Sequence, residues 1–414
     1  MLTATDRVVI VGASLAGTNA AATLRKGGFA GELLVVDADP SAPYDRPPLS
    51  KQVLSGGWDA DRIGLLVRPG NDEGLDIDWR VGVGVEGLDV GARRLDLVGG
   101  GTLDFDGLVV ATGAHARHLP GTEGLGGLHV LRTLADSLAL RADLDRAPSR
   151  VVVVGAGFIG AEVASVCRGR GLDVTLLEAA AVPLARVLGD QMGAVCADLH
   201  RAHGVDLRLS TGVEGFTSDD GHVAGVRLSD GSVLGAEVVV VGVGAAPEVG
   251  WLEGSGVMLD DGVRCDEALR VLGHDGAPLP GIVAAGDVAR FPNACFGGEV
   301  MRVEHWENAV GSGTAAAHTL LGSSMPWAPV PWFWSDQYDC KIQLAGWTRD
   351  GDEVRVIEGS VEERRFVALY GRDGRVVGVL GFNRPAKVIG WRARIEAGTS
   401  WDDALADANS AASS

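Results

Sequence analysis

Residues 151–180, VVVVGAGFIGAEVASVCRGRGLDVTLLEAA, contain the pattern that decides the fold. A run of valines predicts a buried strand, the segment after the glycine-rich turn is typical of a helix, and a second apolar run predicts another strand. Gly155, Gly157 and Gly160 have the spacing that lets a helix N-terminus approach a pyrophosphate. Glu178 ends the second strand, where a carboxylate can accept hydrogen bonds from ribose hydroxyls. The segment therefore predicts a βαβ dinucleotide-binding unit.

A second copy of this pattern begins near the N-terminus, RVVIVGASLAGTNAAATLRKGGFAGELLVVDAD. Gly12 permits the tight turn, Ser14 replaces the usual second glycine, and Gly17 allows the helix to pack close to the strand. Asp37 and Asp39 both stand where a carboxylate could bind ribose. Taken alone, this imperfect motif could be an ordinary strand-to-helix turn, but two copies in one chain favour two dinucleotide sites.

Two dinucleotides in one chain point to a flavin and a nicotinamide, because hydride transfer needs one donor and one acceptor. Glu178 would repel a 2′-phosphate, and residues 179–181 are alanines that offer no arginine to bind one. The sequence therefore predicts NADH rather than NADPH at the second unit.

Two later segments read as strands that return to the first unit, DFDGLVVATGAHAR (104–117) and LPGIVAAGDVARFP (279–292). Parallel strands present ligands at their carboxyl ends, so Thr112 and Asp287 could both meet the cofactor held by the first turn. Asp287 could instead be a simple helix N-cap. If both segments return, the FAD-binding domain is discontinuous, 1–115 and 245–325, around an NADH-binding domain at 116–244 and before a C-terminal domain at 326–414.

Composition narrows the function classes. The net charge of −19 disfavours nucleic acid and anionic membranes, and the chain lacks a long apolar run or a signal peptide, which predicts a cytoplasmic protein. Its five cysteines lie far apart in sequence, with no spacing suited to zinc or an iron–sulfur cluster, so no metal site is predicted. No cysteine precedes Cys167, which argues against a redox dithiol near the first unit.

An ordered set of motifs resembles the FAD-dependent, NADH-dependent ferredoxin and rubredoxin reductases of bacterial Rieske oxygenases and cytochrome P450 systems. The set comprises PYDRPPLSK (43–51), VVATGAHARHLPG, VVVVGAGFIGAEVA, AAGDVARFP, VEHWENAVGSG and PWFWSDQYDCKIQLAG. The resemblance covers residues 7 to about 395. It implies an α/β, glutathione-reductase-like fold with two doubly wound dinucleotide-binding domains and a small α+β C-terminal domain. The implied activity is hydride transfer from NADH to FAD, followed by single-electron transfer to a [2Fe–2S] ferredoxin or a rubredoxin.

The resemblance also implies roles for single residues. It places the proline-rich loop against the flavin, so that Lys51 stabilises the charge that arrives with the hydride and Arg46 meets the pyrophosphate; both could instead form surface ion pairs with Asp39 and Asp45. Glu162 resembles an acid near the nicotinamide, although it could be a helix-surface carboxylate. Trp306 matches an aromatic residue beside flavin and nicotinamide, although it could be a core residue.

The motifs and the resemblance together predict three groups of site residues. The predicted catalytic residues are Lys51, Glu162 and Trp306. Residues predicted to bind FAD are Gly12, Ser14, Leu15, Ala16, Gly17, Asp37, Asp39, Arg46, Lys51, Val85, Ala111, Thr112, Gly113, Arg117, Gly286, Asp287 and Trp306. Residues predicted to bind NADH are Gly155, Gly157, Phe158, Ile159, Gly160, Glu178, Arg186 and Gly244.

The C-terminal segment is rich in tryptophan and predicts a small antiparallel sheet with a hairpin at residues 373–374 and a closing helix. By the same resemblance, Trp332 and Trp334 lie near the flavin edge or the ferredoxin surface, although both could be core residues. The basic residues of 384–394 could dock an acidic ferredoxin or form a solvated helix face. Other readings of the whole chain are an NADH-dependent flavoprotein with a small-molecule acceptor such as oxygen or a quinone, and an NADH-binding redox sensor. The chain is expected to be a monomer or a homodimer.

Overall fold

The computed structural model describes residues 2–65 and 75–412. These residues form two compact units, each assembled from separated stretches of the chain. The first unit contains 1–45, 60–115 and 246–331, and the second contains 46–59, 116–245 and 332–414. The predicted division into three domains stays a prediction.

The described residues form seven α-helices and 27 strands. The helices are α1 Leu15–Lys26, α2 Leu134–Leu144, α3 Phe158–Gly169, α4 Ala185–Ala202, α5 Trp306–Leu320, α6 Pro385–Glu396 and α7 Trp401–Ala412. The strands are β1 Arg7–Val11, β2 Glu32–Asp37, β3 Asp78–Val81, β4 Val85–Asp89, β5 Arg94–Leu97, β6 Thr102–Asp104, β7 Gly107–Val110, β8 Ala114–Ala116, β9 Leu128–His129, β10 Val151–Val154, β11 Val174–Leu177, β12 Asp206–Arg208, β13 Val213–Asp219, β14 His222–Leu228, β15 Val233–Gly235, β16 Val238–Val241, β17 Ala245–Pro247, β18 Val263–Arg264, β19 Arg270–Leu272, β20 Pro278–Ala284, β21 Ala289–Asn293, β22 Glu299–Arg302, β23 Trp332–Gln337, β24 Cys340–Gly346, β25 Glu353–Ser360, β26 Arg365–Arg372 and β27 Arg375–Phe382.

The first unit is organised around a six-stranded sheet in the order β19-β20-β7-β1-β2-β3. All neighbouring strands are parallel except β19, which runs antiparallel to β20. The apolar residues of β1, β2 and β7 are almost all buried, as expected for a parallel sheet covered on both faces. Helices α1 and α5 pack closely where Gly313 of α5 meets Ala16 of α1. A Cβ at Gly313 would lie 2.3 Å from the carbonyl oxygen of Ala16, so only glycine fits there. The two returning segments predicted from sequence, β7 and β20, are adjacent strands of this sheet.

The second unit contains a parallel sheet in the order β12-β11-β10-β16-β9. Its central strand β10 pairs in register with β11 on one side and β16 on the other, Val151 facing Val174 and Val238. One face of this sheet shares a hydrophobic core with the antiparallel strands β13, β14 and β15. The βαβ pattern of the opening sequence is therefore confirmed, with α3 as its helix.

A five-stranded antiparallel sheet, in the order β23-β24-β27-β26-β25, also belongs to the second unit. The predicted hairpin is formed by β26 and β27, with Arg372 paired to Arg375 across the turn, and two helices follow it where one was expected. Apolar residues of β23, β24, β26 and β27 share one core with Leu188, Met192 and Leu199 of α4. The C-terminal sheet is thus continuous in packing with the helix that follows the nucleotide-binding strands.

Among the described residues, no helix is long and apolar enough to cross a membrane. The same residues contain no cluster of three or more His, Cys, Asp or Glu side chains placed to hold a metal ion.

The core between α4 and the C-terminal sheet gives a first testable prediction. Helix α4 is interrupted at Gly189, which has non-helical backbone angles (φ 70°, ψ 173°). At the residue before this interruption, the carbonyl oxygen of Leu188 accepts a hydrogen bond from the buried Tyr370 hydroxyl at 2.9 Å. Tyr370→Phe removes this donor while keeping the ring, so the free energy of unfolding should fall by about 1 kcal/mol. Urea titration followed by circular dichroism measures the change.

Ser410→Ala is the control for this variant, because the exposed Ser410 hydroxyl donates to the carbonyl oxygen of Ala406 in its own helix, away from the core of α4 and the C-terminal sheet. It should leave the unfolding midpoint unchanged. Equal midpoints for Tyr370→Phe and the wild-type chain would contradict the prediction.

Candidate functional site

The carboxyl ends of β1, β7 and β20 meet at one corner of the first unit. A Cβ at Gly12, which has φ +108°, would lie 2.2 Å from the carbonyl oxygen of Ala111. A Cβ at Gly286, with φ +75°, would lie 2.9 Å from the Cβ of Ala16 at the start of α1. The structure therefore brings together the first glycine turn and both returning strands, as the sequence predicted.

Asp37 ties this turn to the end of β2. Its carboxylate accepts hydrogen bonds from the backbone N–H groups of Ala13 at 2.5 Å and Asp39 at 2.8 Å. The Asp39 side chain accepts from the Ser41 N–H and the Tyr44 hydroxyl, at 2.9 and 2.7 Å. The Asp37 carboxylate therefore contacts the glycine turn directly, through the Ala13 N–H.

The second unit repeats this arrangement with different residues. A Cβ at Gly155, with φ +97°, would lie 2.4 Å from the carbonyl oxygen of Gly242, and one at Gly160 would lie 2.0 Å from that of Gly155. The Glu178 carboxylate accepts from the N–H groups of Ala156 at 2.8 Å and Ala180 at 2.9 Å. The agreement between the two units shows that each carboxylate serves the same structural role.

The replacement of glycine by Ser14 has a simple steric explanation. Ser14 is the N-cap residue of α1 with φ −71° and ψ −165°, and Gly157 is the N-cap of α3 with φ −72° and ψ −179°. Both are ordinary extended conformations for any L-residue. The nearest atom to a Cβ at Gly157 is 4.0 Å away, so a small side chain fits at this position of the motif.

These features fit two dinucleotides. Each unit has a strand, a turn closed by glycines, a helix whose first N–H groups lack intrahelical partners, and an acid beside the turn. In the first unit, Gly12, Ser14, Leu15, Ala16, Gly17 and Asp37 would hold FAD together with the ends of β7 and β20. In the second, Gly155, Gly157, Phe158, Ile159, Gly160 and Glu178 would hold the nicotinamide dinucleotide.

Four other residues predicted to bind FAD, Thr112, Arg117, Val85 and Asp287, lie outside the first glycine turn. The Thr112 hydroxyl donates to the carbonyl oxygen of Glu248 at 2.7 Å, and the Arg117 Nε donates to that of Ala245 at 3.0 Å. Val85 lies in the three-stranded sheet β4-β5-β6, where it pairs with Leu97. Asp287 is the second residue of a short 3₁₀ helix, Gly286–Val288, whose N-cap is Ala285, so the alternative reading of Asp287 as an N-cap is wrong.

Trp306 begins α5 in the first unit. Its half-buried indole N–H donates to the Asp45 carboxylate at 2.8 Å. The preceding residue, His305, is the N-cap of α5 and is buried, and this burial lowers the pKa of His305 to about 4, while Asp287 opposes the shift. A neutral imidazole therefore stands at this helix N-terminus at neutral pH. His305 was not among the residues predicted from the sequence, although it directly precedes Trp306 in the VEHWENA motif.

Lys51 and Glu162 form a buried ion pair in the second unit. Lys51 Nζ lies 2.7 Å from Glu162 Oε2, and the two side chains are 12% and 3% exposed. The Ser50 hydroxyl donates to the same carboxylate oxygen at 2.5 Å. The surface alternatives for Lys51 and for Glu162 are therefore wrong, because Lys51 pairs with Glu162 and Glu162 faces the interior of the unit.

The proline-rich loop is held rigidly in this unit. Pro47–Ser50 forms a 3₁₀ helix that begins with a proline, whose fixed φ suits the first turn. The buried Ser137 hydroxyl donates to the carbonyl oxygen of Leu49 at 2.7 Å, and Arg46 donates to that of Arg132 at 2.6 Å. The loop can thus present Lys51 in one orientation.

The C-terminal sheet adds two polar residues, Ser335 and Gln337, to the group formed by Lys51, Ser50 and Glu162; these five residues are called the Glu162 cluster. The buried Ser335 hydroxyl donates to Glu162 Oε1 at 2.7 Å, and the buried Gln337 Nε2 donates to the Ser335 oxygen at 3.2 Å. Ser50, Ser335 and Gln337 were not among the site residues predicted from the sequence. The available signal was the alternation in FWSDQ, where every second residue is buried.

The remaining predicted residues are more exposed. Arg186 is exposed at the start of α4, and Gly244 has φ +99° with open space beside it. Within the basic segment 384–394, Arg384 and Lys387 approach Glu358 at 3.7 and 2.8 Å. Arg394 pairs with Asp407 at 2.7 Å and stacks on the Trp391 ring. Much of this positive charge is therefore balanced by acids of the same unit.

Two protein-family models match the chain. Residues 6–313 match the pyridine nucleotide-disulphide oxidoreductase family, and residues 332–412 match a reductase C-terminal family. The chain therefore belongs to the pyridine nucleotide-disulphide oxidoreductases, enzymes that use FAD and NAD(P)H.

Similar proteins narrow this assignment. The chain is 39% identical to rhodocoxin reductase of Rhodococcus erythropolis over 380 residues, covering 91% of this chain and 86% of the relative. It is also 39% identical, over 97% of its length and 96% of the relative, to the ferredoxin reductase subunit of 5,5′-dehydrodivanillate O-demethylase of a Sphingobium species. Among solved structures, the reductase in the covalent putidaredoxin reductase–putidaredoxin complex superimposes with a TM-score of 0.90 at 33% identity, covering 96% of this chain and 94% of the other. Within the family, this chain belongs with the ferredoxin reductases, and the resemblance drawn from the motifs is confirmed.

The two candidate ribose ligands can be separated by mutation. Both Asp37 oxygens accept backbone N–H groups, so Asp37→Asn turns an amide donor toward one of these N–H groups and opens the turn. We expect purified Asp37→Asn to contain less than half the wild-type flavin per chain, because it loses one hydrogen bond to a charged group. The flavin content is measured by absorbance at 450 nm after denaturation.

Asp39→Asn is the matched control, because it makes the same change at the neighbouring acid. It should keep nearly full flavin content. The reverse order of flavin loss would assign the ribose contact to Asp39.

Proposed function

We propose that this protein transfers a hydride from NADH to FAD and then passes single electrons to a [2Fe–2S] ferredoxin that serves a P450 or Rieske oxygenase. The observation that carries this proposal is the pair of independent glycine turns, each closed by its own carboxylate, which provides one site for a donor and one for an acceptor. We propose a ferredoxin as the electron acceptor because similar proteins are named rhodocoxin reductase, putidaredoxin reductase and the ferredoxin reductase subunit of an O-demethylase. Because its donor is NADH, we place the protein in the cytoplasm.

The cysteines support direct electron transfer from the flavin. Cys167, Cys196, Cys265 and Cys340 are free thiols, and all four are buried. Burial raises the pKa of Cys167 and of Cys196 to about 12, and of Cys340 to about 11. Because the thiolate is the reactive form, these thiols are poor partners for disulfide exchange. Bound FAD itself supplies the conversion between a two-electron donor and a one-electron acceptor.

NADH is the proposed donor because of the charge at the end of β11. The Glu178 carboxylate is held in place by two backbone N–H groups, so it cannot turn away from a ribose 2′ substituent without losing them. A ribose hydroxyl can donate to this carboxylate, whereas a 2′-phosphate would be repelled by it.

The Lys51–Glu162 pair is the proposed catalytic element. A lysine ammonium fixed by a buried carboxylate cannot reorient toward solvent, so its charge is already placed when negative charge develops during hydride transfer. The rigid prolines before it and the hydroxyl of Ser50 hold the pair in one geometry. Trp306, fixed by its bond to Asp45, is proposed to order the rings by stacking.

The acceptor is tested by anaerobic reduction followed by supply of cytochrome c with and without a bacterial [2Fe–2S] ferredoxin. We expect haem reduction to depend steeply on ferredoxin, because cytochrome c alone lacks the matched docking surface. Rapid flavin reduction by NADH with no ferredoxin effect would indicate a small-molecule acceptor such as a quinone or oxygen. Flavin reduction without turnover of any acceptor would indicate a redox sensor.

The Lys51 role is tested with Lys51→Met and the double variant Lys51→Met/Glu162→Gln. Removing Lys51 alone leaves a buried carboxylate unpaired, which should lower the free energy of unfolding by about 3 kcal/mol. Neutralising both groups should restore most of this stability. Both variants should reduce flavin about 100-fold more slowly in anaerobic stopped-flow with NADH, because each lacks the fixed charge. A normal reduction rate in the stable double variant would remove Lys51 from the mechanism.

A further inference from the structure

The inner face of β23 lies along one face of helix α3. The Phe333 ring contacts the Phe158 ring edge-on at a centroid distance of 4.5 Å. Ser335 donates to Glu162 at 2.7 Å, and just after the strand the Tyr338 N–H donates to the Ser165 hydroxyl at 2.6 Å. The α3 partners are spaced by four and then three residues, so they form a single stripe on the helix. The FWSDQY motif is therefore explained by its packing on the nucleotide-binding helix of the same unit.

One contact in this stripe differs from the others. The α3 partners of Phe333 and Tyr338 are a phenyl ring and a hydroxyl, whereas Ser335 contacts the carboxylate that pairs with Lys51. A carboxylate has about four lone-pair positions, and a buried one is stable only when donors occupy them. Lys51 and Ser50 both donate to Oε2 of Glu162, and Ser335 donates to Oε1. Ser335 is thus the donor to the second oxygen of this carboxylate.

The direction of the hydrogen bonds fixes the Ser335 hydroxyl. The Glu162 carboxylate accepts hydrogen bonds from the Lys51 ammonium and the Ser50 hydroxyl, and it likewise accepts the Ser335 proton. The Ser335 oxygen is then free to accept, and the Gln337 amide donates to it at 3.2 Å. Ser335 and Gln337 are both fully buried. The two residues therefore form a short chain in which each bond orients the next.

We propose that Ser335, oriented by Gln337, is a positioning residue for the Lys51–Glu162 pair, so that the C-terminal sheet controls the rate of hydride transfer. This inference rests on the proposed function of that pair. Without the Ser335 hydroxyl, Glu162 Oε1 loses its donor and the carboxylate can rotate about its side-chain torsions. Because the Lys51 ammonium is bonded to Oε2 of this carboxylate, Lys51 then loses its fixed position as well.

The test compares three single variants, Ser335→Ala, Ser335→Thr and Ser165→Ala. Ser165→Ala is the matched control, because it removes a hydroxyl from the same contact between strand and helix without touching Glu162. In anaerobic stopped-flow, Ser335→Ala should lower the limiting rate of flavin reduction by NADH about tenfold, the effect of one hydrogen bond to a charged group. The apparent Kd for NADH should stay within about twofold, since the hydroxyl positions a group rather than binding the dinucleotide.

The two other variants separate positioning from packing. Ser335→Thr keeps a hydroxyl on a strand position and should restore most of the rate, and Ser165→Ala should reduce flavin at the wild-type rate. Equal slowing by Ser335→Ala and Ser165→Ala would mean that only the attachment of the strand matters, and it would overturn the proposal. A wild-type rate in Ser335→Ala would also overturn it.

A stability measurement tests the same contact independently of activity. Ser335→Ala is introduced into the wild-type chain and into Glu162→Gln, and urea unfolding is measured for all four proteins. A coupling of about fivefold in the unfolding equilibrium constant is expected for residues in direct contact. Additive effects would overturn the proposal.

The outcomes also separate this inference from the proposed function. If wild-type flavin is reduced by NADH but ferredoxin is not reduced, the proposed acceptor is wrong, and the flavin-reduction rates of the variants still decide the role of Ser335. If NADH does not reduce wild-type flavin, the proposed function fails as a whole. The unfolding cycle then decides whether Ser335 orients Glu162.

Discussion

The burial of one carboxylate, that of Glu162, determines much of the second unit. At 3% exposure the charged group needs nearby donors, and these come from segments far apart in sequence: Lys51 and Ser50 from the proline-rich loop, and Ser335 from the first strand of the C-terminal sheet. Neither a surface loop nor a peripheral sheet would satisfy this requirement. These polar contacts, together with the apolar core that the C-terminal sheet shares with α4, join residues 46–59 and 332–414 to the strands around Gly155 in one compact unit.

The two nucleotide folds could be predicted from sequence because their constraints are local. Gly12 and Gly155 have φ of +108° and +97°, which L-residues rarely adopt, and their neighbours in space are backbone atoms that leave no room for a side chain. Such positions require glycine, so they can be recognised in the sequence itself. The same reasoning explains the one departure, because Ser14 occupies an ordinary extended conformation and the motif tolerates it.

The Glu162 cluster could be predicted only in part, because its partners are distant in sequence. A glutamate in the first turns of a helix gives no sign of whether it is buried, and the pairing with Lys51 spans 111 residues. The resemblance to known reductases supplied Lys51, Glu162 and Trp306, but no local pattern indicated that Ser335 would join them. The alternating burial of β23 was visible in FWSDQ, yet the identity of the surface that covers this face depends on the tertiary fold. Interactions of this kind are set by packing rather than by propensity.

The family to which this chain belongs is named for disulphide chemistry, and the loop after β2 shows how the chain departs from it. Disulfide reductases of this fold carry redox cysteines in that region, whereas here it contains Pro47, Pro48 and Lys51 and no cysteine. A thiol pair can store electrons, but an ammonium group can only stabilise charge on a neighbour. Such a loop favours electron transfer directly from flavin to a separate acceptor. The buried pairing of Lys51 with Glu162 is consistent with this, since a charge that only stabilises works best when it cannot move.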